Sequence, residues 1–123
     1  MFEPGDTFFG GAELHGKNHP WIIINDPSSQ HDRLALYVNI TSIKGGRFDD
    51  VTCVLQRGEH ISVSRPSYIR FDGAKIALVS QLDEAGRLGL IRRSEKASAQ
   101  LEVKIRRAAL VAERLKENFK KLL

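Results

Sequence analysis

Ser67-Tyr68-Ile69-Arg70-Phe71-Asp72-Gly73 sets a cation and a carboxylate two residues apart at the end of a strand-like run. Residues i and i+2 of a pleated strand project from the same face, so Arg70 and Asp72 are expected to share one surface. Asp-Gly is among the stronger hairpin signals, which predicts Tyr68–Phe71 and Ala74–Leu82 as two strands flanking a turn at Asp72-Gly73. A carboxylate that can take a proton, beside a guanidinium that can grip a phosphate, is a plausible kit for cleaving RNA. The same pair is equally what a solvated strand face or a surface salt bridge looks like.

Working outward, the first two-thirds of the chain read as a series of short strands. Asp6–Phe9 opens, and a Gly-rich, polar loop follows from Gly10 to Asn18. Trp21–Ile24 and Leu34–Thr41 are apolar runs rich in β-branched residues, as buried strands are. Thr52–Leu55 and Ile61–Val63 are shorter candidates around Arg57-Gly58-Glu59. Short strands punctuated by turn residues predict a small barrel or a curled sheet. From Ser94 onward Gly and Pro are absent and helix-forming residues dominate, which predicts one long helix capped by Ser94. Along it Leu101, Ile105, Ala108, Ala112, Leu115, Phe119 and Leu122 recur at steps of four and three, an apolar seam with a heptad period. Such a seam must be buried on the chain's own sheet, a second copy or a partner. The expected organisation is a barrel over residues 1–91 and a basic amphipathic helix over 92–123 packed on it as one structural domain.

With 123 residues, 41% hydrophobic and 28% charged, the chain is an ordinary one-domain globular protein by composition. No apolar run approaches the ~18–20 residues that span a bilayer. Its N-terminal Met-Phe-Glu-Pro-Gly-Asp has no basic region leading into an apolar stretch, so no export signal is expected and the cytoplasm is the expected compartment. A single cysteine, Cys53, fits a reducing compartment and reads as a buried core residue. The net charge of +4 is uneven: residues 1–91 carry 9 Lys+Arg and 11 Asp+Glu (−2), residues 92–123 carry 10 and 4 (+6). A tail this basic suits phosphate, an acidic partner, or simply solvent.

His15, His19, His31 and His60 lack Cys or His partners at zinc-ligand spacing, so no metal is expected. The Gly-Gly pairs at 10–11 and 45–46 complete neither a phosphate loop nor a dinucleotide fingerprint, so no cofactor is expected either. These absences favour chemistry done by side chains and a nucleophile carried by the substrate, such as the 2′-hydroxyl of RNA. Phe8, Phe9, Trp21, Tyr37 and Phe71 are aromatics suited to base stacking, although Trp21 and Tyr37 lie in core-like runs.

Three further segments carry a family resemblance. Gly5-Asp6 near the start, Gly16-Lys17-Asn18-His19-Pro20-Trp21-Ile22-Ile23-Ile24 and Leu36-Tyr37-Val38-Asn39-Ile40-Thr41-Ser42 precede the Ser67–Gly73 stretch in an order that resembles the MazF/PemK (Kid-like) toxins of type II toxin–antitoxin pairs. The resemblance covers roughly residues 5–82. It implies a mainly β, SH3-like barrel, here with an added C-terminal helix. It also implies a metal-independent endoribonuclease that cleaves single-stranded RNA to a 2′,3′-cyclic phosphate, a homodimer, and a cognate antitoxin. Asp72 aligns with the family's base, Arg70 with its catalytic arginine, and Thr41 with the hydroxyl that holds the scissile phosphate. Ser42, Ser67 and Phe71 fall where substrate would lie. The family often has Arg before the Pro of the second strand, where this chain has His19. An imidazole, with an ordinary pKa of about 6.5, can bind phosphate or donate a proton in a pH-dependent way, and Lys17 can supply positive charge from the same loop. That departure keeps two other readings open: a catalytically silent RNA- or protein-binding relative, and a structural subunit that docks through its C-terminal helix.

Overall fold

The central strands are apolar on both of their faces. A computed structural model of the chain describes residues 2–10, 19–29 and 33–123. Strand β1 is Thr7–Gly10, β2 Pro20–Ile23 and β3 Leu34–Ser42. Along β2 and the residue after it, Trp21 and Ile23 turn to one face while Ile22 and Ile24 turn to the other. Ala35 and Tyr37 alternate with Leu36, Val38 and Ile40 in the same way along β3. Apolar side chains on both faces call for a cover on both, which is why these runs are continuous rather than alternating in sequence.

The remaining elements are β4 (Val54–Leu55), β5 (Ser67–Leu78), α1 (Val79–Arg87), β6 (Ile91–Arg93), α2 (Ala99–Val111) and the short α3 (Glu117–Lys120). Six strands form one antiparallel sheet in the order β4-β5-β3-β2-β1-β6. Among the described residues β4 and β6 stay at opposite edges and do not pair, so the sheet is open and the expected closed barrel is not formed. Helix α1 covers the Trp21/Tyr37 face with Val79, Leu82 and Ala85. Helix α2 covers the other with Leu101, Ile105 and Ala109, and the chain beyond it adds Ala112 and Leu115. The C-terminal seam is therefore buried against the chain's own sheet, with Phe119 and Leu122 half-buried at its margin.

Four expectations are corrected. Asp72-Gly73 is not a hairpin turn: β5 runs through it, and Gly73 lacks the positive φ that such a turn requires. Instead the pairing slips between Tyr37–Lys75 and Asn39–Arg70, so that Phe71, Asp72, Gly73 and Ala74 stand opposite Val38 alone. This four-against-one irregularity is a special bulge, which bends the strand locally. Ala74–Leu82 is not one strand, because β5 ends at Leu78 and helix α1 follows, its buried Val79, Leu82 and Ala85 recurring every third residue. Ile61–Val63 forms no strand; Ile61 is exposed and Val63 is buried within a turn. The long C-terminal helix begins later and breaks earlier than expected. Ser98, not Ser94, is its cap, accepting from Leu101 N–H at 3.1 Å. At Ala112 the backbone turns extended, and Ala112 and Leu115 are both buried as the chain bends onto the sheet. Tertiary burial overrides helix propensity there.

Residues 94–97 are extended and sewn to the N-terminus: Ser94 N–H donates to Thr7 C=O at 3.0 Å and Ala97 N–H to Gly5 C=O at 2.9 Å. Glu95 C=O accepts both the Thr7 hydroxyl and the His60 ring Nε2 at 2.5 Å. Asn25, 1% exposed, donates to Leu34 C=O and accepts from Leu36 N–H, clasping the end of β2 to β3. No helix of the described residues is long and apolar enough to cross a membrane.

Cys53 is a buried core residue, 3% exposed, and burial pushes its thiol from 9.0 up to about 11. At pH 8 a disulfide reagent such as DTNB is expected to label it roughly 100-fold more slowly in the native chain than in guanidinium chloride, since thiolate is the reacting form. Equal rates in the two conditions would show that the thiol is accessible.

Candidate active site

The bulge in β5 builds one wall of a groove. Below it Ile69 and Phe71 point into the core, 0% and 1% exposed, so Tyr68, Arg70 and Asp72 share the opposite face. Asn39 of β3 stands opposite Arg70, and Thr41 opposite Tyr68. The groove, about 950 Å³ in volume, is lined by these residues' side chains (Thr41, Tyr68, Arg70, Asp72), by His19 at the start of β2, by Lys44 and Phe48 from the loop after β3, and by Arg114 from beyond α2. A smaller hollow of about 250 Å³ shares His19, Thr41 and Lys44 and adds Ser42 and Ser67. Asp72, Arg70, His19 and Thr41 thus converge from three separate segments on one surface.

Arg70 Nε donates to Asp72 Oδ1 at 3.0 Å, with both side chains about half exposed. That bond uses one edge of the guanidinium and leaves its terminal N–H groups for a ligand. Gly73 makes the arrangement possible: a Cβ there would lie 3.1 Å from Asn39 Oδ1 and 3.4 Å from Arg70 Cδ. Asn39, 3% exposed, donates through Nδ2 to Thr41 Oγ1 at 2.9 Å. With a lone pair so engaged, the Thr41 hydroxyl has its hydrogen to donate, which is the polarity a phosphate oxygen needs. Burial, and after it the nearby Asp49, raises the Tyr68 phenol, and Arg70 among its neighbours opposes this. Tyr68 is therefore a neutral donor at neutral pH. The His19 ring packs edge-on to Trp21, centroids 6.5 Å apart.

The loop carrying Lys44 and Phe48 is closed by Asp49, whose Oδ2 accepts from the backbone N–H of Lys44 at 3.1 Å and Gly45 at 2.8 Å. Arg114 Nη1 donates to Phe48 C=O at 2.9 Å, tying the C-terminal segment to this loop. Phe48 itself is 75% exposed. Three fixed cations (Lys44, Arg70, Arg114) against two carboxylates (Asp49, Asp72) leave the groove positive overall.

Two of the expected site residues, Phe71 and Ser67, are buried rather than open to the groove. Phe71 belongs to the core beneath the groove and offers no face to a base. Phe8, Trp21 and Tyr37 are buried as well; of the described aromatics that line the groove, Phe48 is exposed and Tyr68 is buried. Ser67 is 4% exposed and its hydroxyl is committed to Arg65 C=O at 2.8 Å. Lys17 lies outside the described residues. Tyr68, Asn39, Lys44, Phe48 and Arg114 were not singled out from the sequence. Tyr68 stands at i−2 from Arg70, a spacing that puts both on one strand face. Among the described residues no three His, Cys, Asp or Glu side chains are grouped as a metal ion would require. Neither a scan against protein-family models nor a search of curated proteins finds a match for the chain.

Proposed function

We propose that the groove takes single-stranded RNA and that the chain is a metal-independent endoribonuclease, the toxin of a type II toxin–antitoxin pair with a MazF/PemK-like variant of the SH3-like fold. The observation that carries this reading is that Arg70, Asp72, Thr41 and His19, the residues expected to act, line one positive groove. In the proposed reaction Asp72 takes the proton of a ribose 2′-hydroxyl, whose oxygen then bonds to the adjacent phosphorus. Arg70 stabilises the charge on the phosphorane, with Thr41 donating to a phosphate oxygen. The P–O5′ bond breaks as the His19 imidazolium gives its proton to the leaving oxygen, and a 2′,3′-cyclic phosphate and a 5′-hydroxyl result. Phe48 supplies a ring for an unpaired base. A homodimer and an antitoxin that occupies the groove belong to the same proposal.

Purified protein is expected to cleave an unstructured RNA in the presence of EDTA and to leave 2′,3′-cyclic ends, read by mass spectrometry of the fragments. Cleavage that is abolished by EDTA and restored by magnesium would overturn the mechanism. The Arg70–Asp72 bond favours one second reading, binding without cleavage, because the intended base is already engaged by a cation. RNA bound at low salt with no product under any condition would select it.

A further inference from the structure

Tyr68 is 6% exposed, so the fold encloses its ring, yet its side chain reaches the wall of the groove. A buried tyrosine ordinarily finds a partner for its hydroxyl. Here the phenolic oxygen makes no hydrogen bond among the described residues. Nor is it sealed off: it is not among the buried polar atoms that lack a partner, so it opens on the groove. Asp49 and Asp72 stand close enough to act on it, and neither takes its hydrogen. Asp72 is engaged by Arg70 Nε at 3.0 Å, and Asp49 by the backbone N–H groups of Lys44 and Gly45. Burial raises the phenol above its ordinary 10.0, so the hydroxyl keeps its hydrogen at neutral pH. Pairing of β3 with β5 sets Thr41 directly opposite Tyr68, and Arg70 follows two residues along the same face. Directly opposed residues stand about 4.5–5.5 Å apart at Cβ. The Thr41 hydroxyl, the Tyr68 hydroxyl and the terminal N–H groups of Arg70 therefore meet on one stretch of the wall.

We propose, on the reading of the groove as an RNA site, that Tyr68 is a further substrate-binding residue, its hydroxyl donating to a non-bridging oxygen of the phosphate at which the RNA is cut. A phosphodiester offers two such oxygens that share one negative charge. That suits converging donors better than a base edge, where donors and acceptors are mixed. The Arg70 side chain is about half exposed and must be ordered when substrate arrives, whereas the Tyr68 ring is already held. A donor fixed beforehand loses little freedom on binding. Charge builds on the phosphate oxygens as the phosphorane forms, so the bond strengthens toward the transition state and acts on rate more than on affinity. A neutral phenol also releases no counterion from the nucleic acid, which separates its contribution from that of a cation.

The test uses the full chain, an unstructured RNA, and the all-2′-deoxy counterpart of that RNA, which has the phosphates but no nucleophile. Tyr68→Phe keeps the ring, so the melting temperature should hold. Single-turnover cleavage is expected to slow about tenfold, the loss of one hydrogen bond to a charged acceptor. Sulfur in place of a non-bridging oxygen accepts a hydrogen bond poorly. In the wild type, one of the two phosphorothioate diastereomers at the cut is expected to react about tenfold more slowly than the all-oxygen RNA. In Tyr68→Phe the same isomer should lose no more than about twofold, because the bond it disturbs is already gone. A packing role would leave the sulfur effect at its wild-type size. That result, or wild-type cleavage by Tyr68→Phe beside an inactive Asp72→Asn, would overturn the proposal and leave the reading of the groove standing. Filter binding of the deoxy strand separates the two. Tyr68→Phe should weaken it about threefold without changing its salt dependence. If the wild type binds both strands but cuts neither, and Tyr68→Phe weakens binding, the phosphate contact stands and cleavage falls; if the variant then binds as tightly as the wild type, both fall.

Discussion

Asp72→Asn and Arg70→Ala are each expected to slow RNA cleavage by at least ~100-fold, the lower end for losing a positioned acid–base or charge-stabilising group. Folding is expected to survive both changes. The two side chains are about half exposed, and an exposed ion pair contributes only about 0–1 kcal/mol. The variants should differ in how they fail. Asp72→Asn removes the proton acceptor and leaves the groove more positive, so single-turnover cleavage falls while RNA affinity holds or rises. Arg70→Ala removes a phosphate contact, so affinity and cleavage fall together, and the salt dependence of binding becomes shallower by about one phosphate contact. The readouts are gel-resolved single-turnover rates, filter binding over a salt series, and thermal melts of each variant. If both variants cleave at the wild-type rate with unchanged melting, the pair is a surface salt bridge and the active-site assignment fails.

The same residues show how much of this site was legible in the sequence. Arg70 and Asp72 sharing a face followed from strand geometry, and buried strands at Trp21–Ile24 and Leu34–Thr41 followed from their apolar runs rich in β-branched residues. The Asp72-Gly73 pair misled because local turn chemistry competes with pairing further along. Lys75 through Leu78 find partners on β3, and the chain absorbs Asp72-Gly73 as a bulge instead of reversing. Helix α1 was hidden because Ile76 and Leu78 alternate like a strand directly before Val79, Leu82 and Ala85 take up helical spacing. Arg114 and Phe48 were out of reach for another reason. They meet the groove only because α2 packs on the sheet and the chain then turns at Ala112, a contact no local pattern records. Asn39 reads as a polar residue in an apolar strand, and its use becomes visible only when Thr41 is seen to accept from it.

Deleting the tail after Arg93 is expected to leave the chain unable to fold into a soluble monomer. Leu101, Ile105, Ala109, Ala112 and Leu115 are all nearly or fully buried and form one cluster with Ile22, Leu36, Val38 and Ile69. Without them one whole face of the sheet is bare, a larger apolar patch than soluble monomers carry. Polar ties go with them: Lys104 Nζ, which bonds Val54 C=O at 2.8 Å and Glu59 at 2.9 Å, and the cap at Ser98. A point change makes the same argument without removing the helix. Leu115 is 2% exposed, so Leu115→Ala is expected to cost about 2–5 kcal/mol. Leu115→Asp should cost more, because it places a carboxylate in the apolar cluster that Leu115 fills. Set against a typical domain stability of roughly 5–15 kcal/mol, Leu115→Asp unfolds a large share of the molecules. Leu110→Asp, at a 55% exposed position of α2, should change stability by no more than about 0.5 kcal/mol. Urea titrations of the three variants and light scattering of the truncated chain provide the measurements. A truncated protein that stays monomeric with the full-length melting temperature would mean that the sheet holds its own face together and that the tail is dispensable. That outcome would also remove Arg114 from the groove without consequence, so the fold and the site would both have to be reread from residues 1–93 alone.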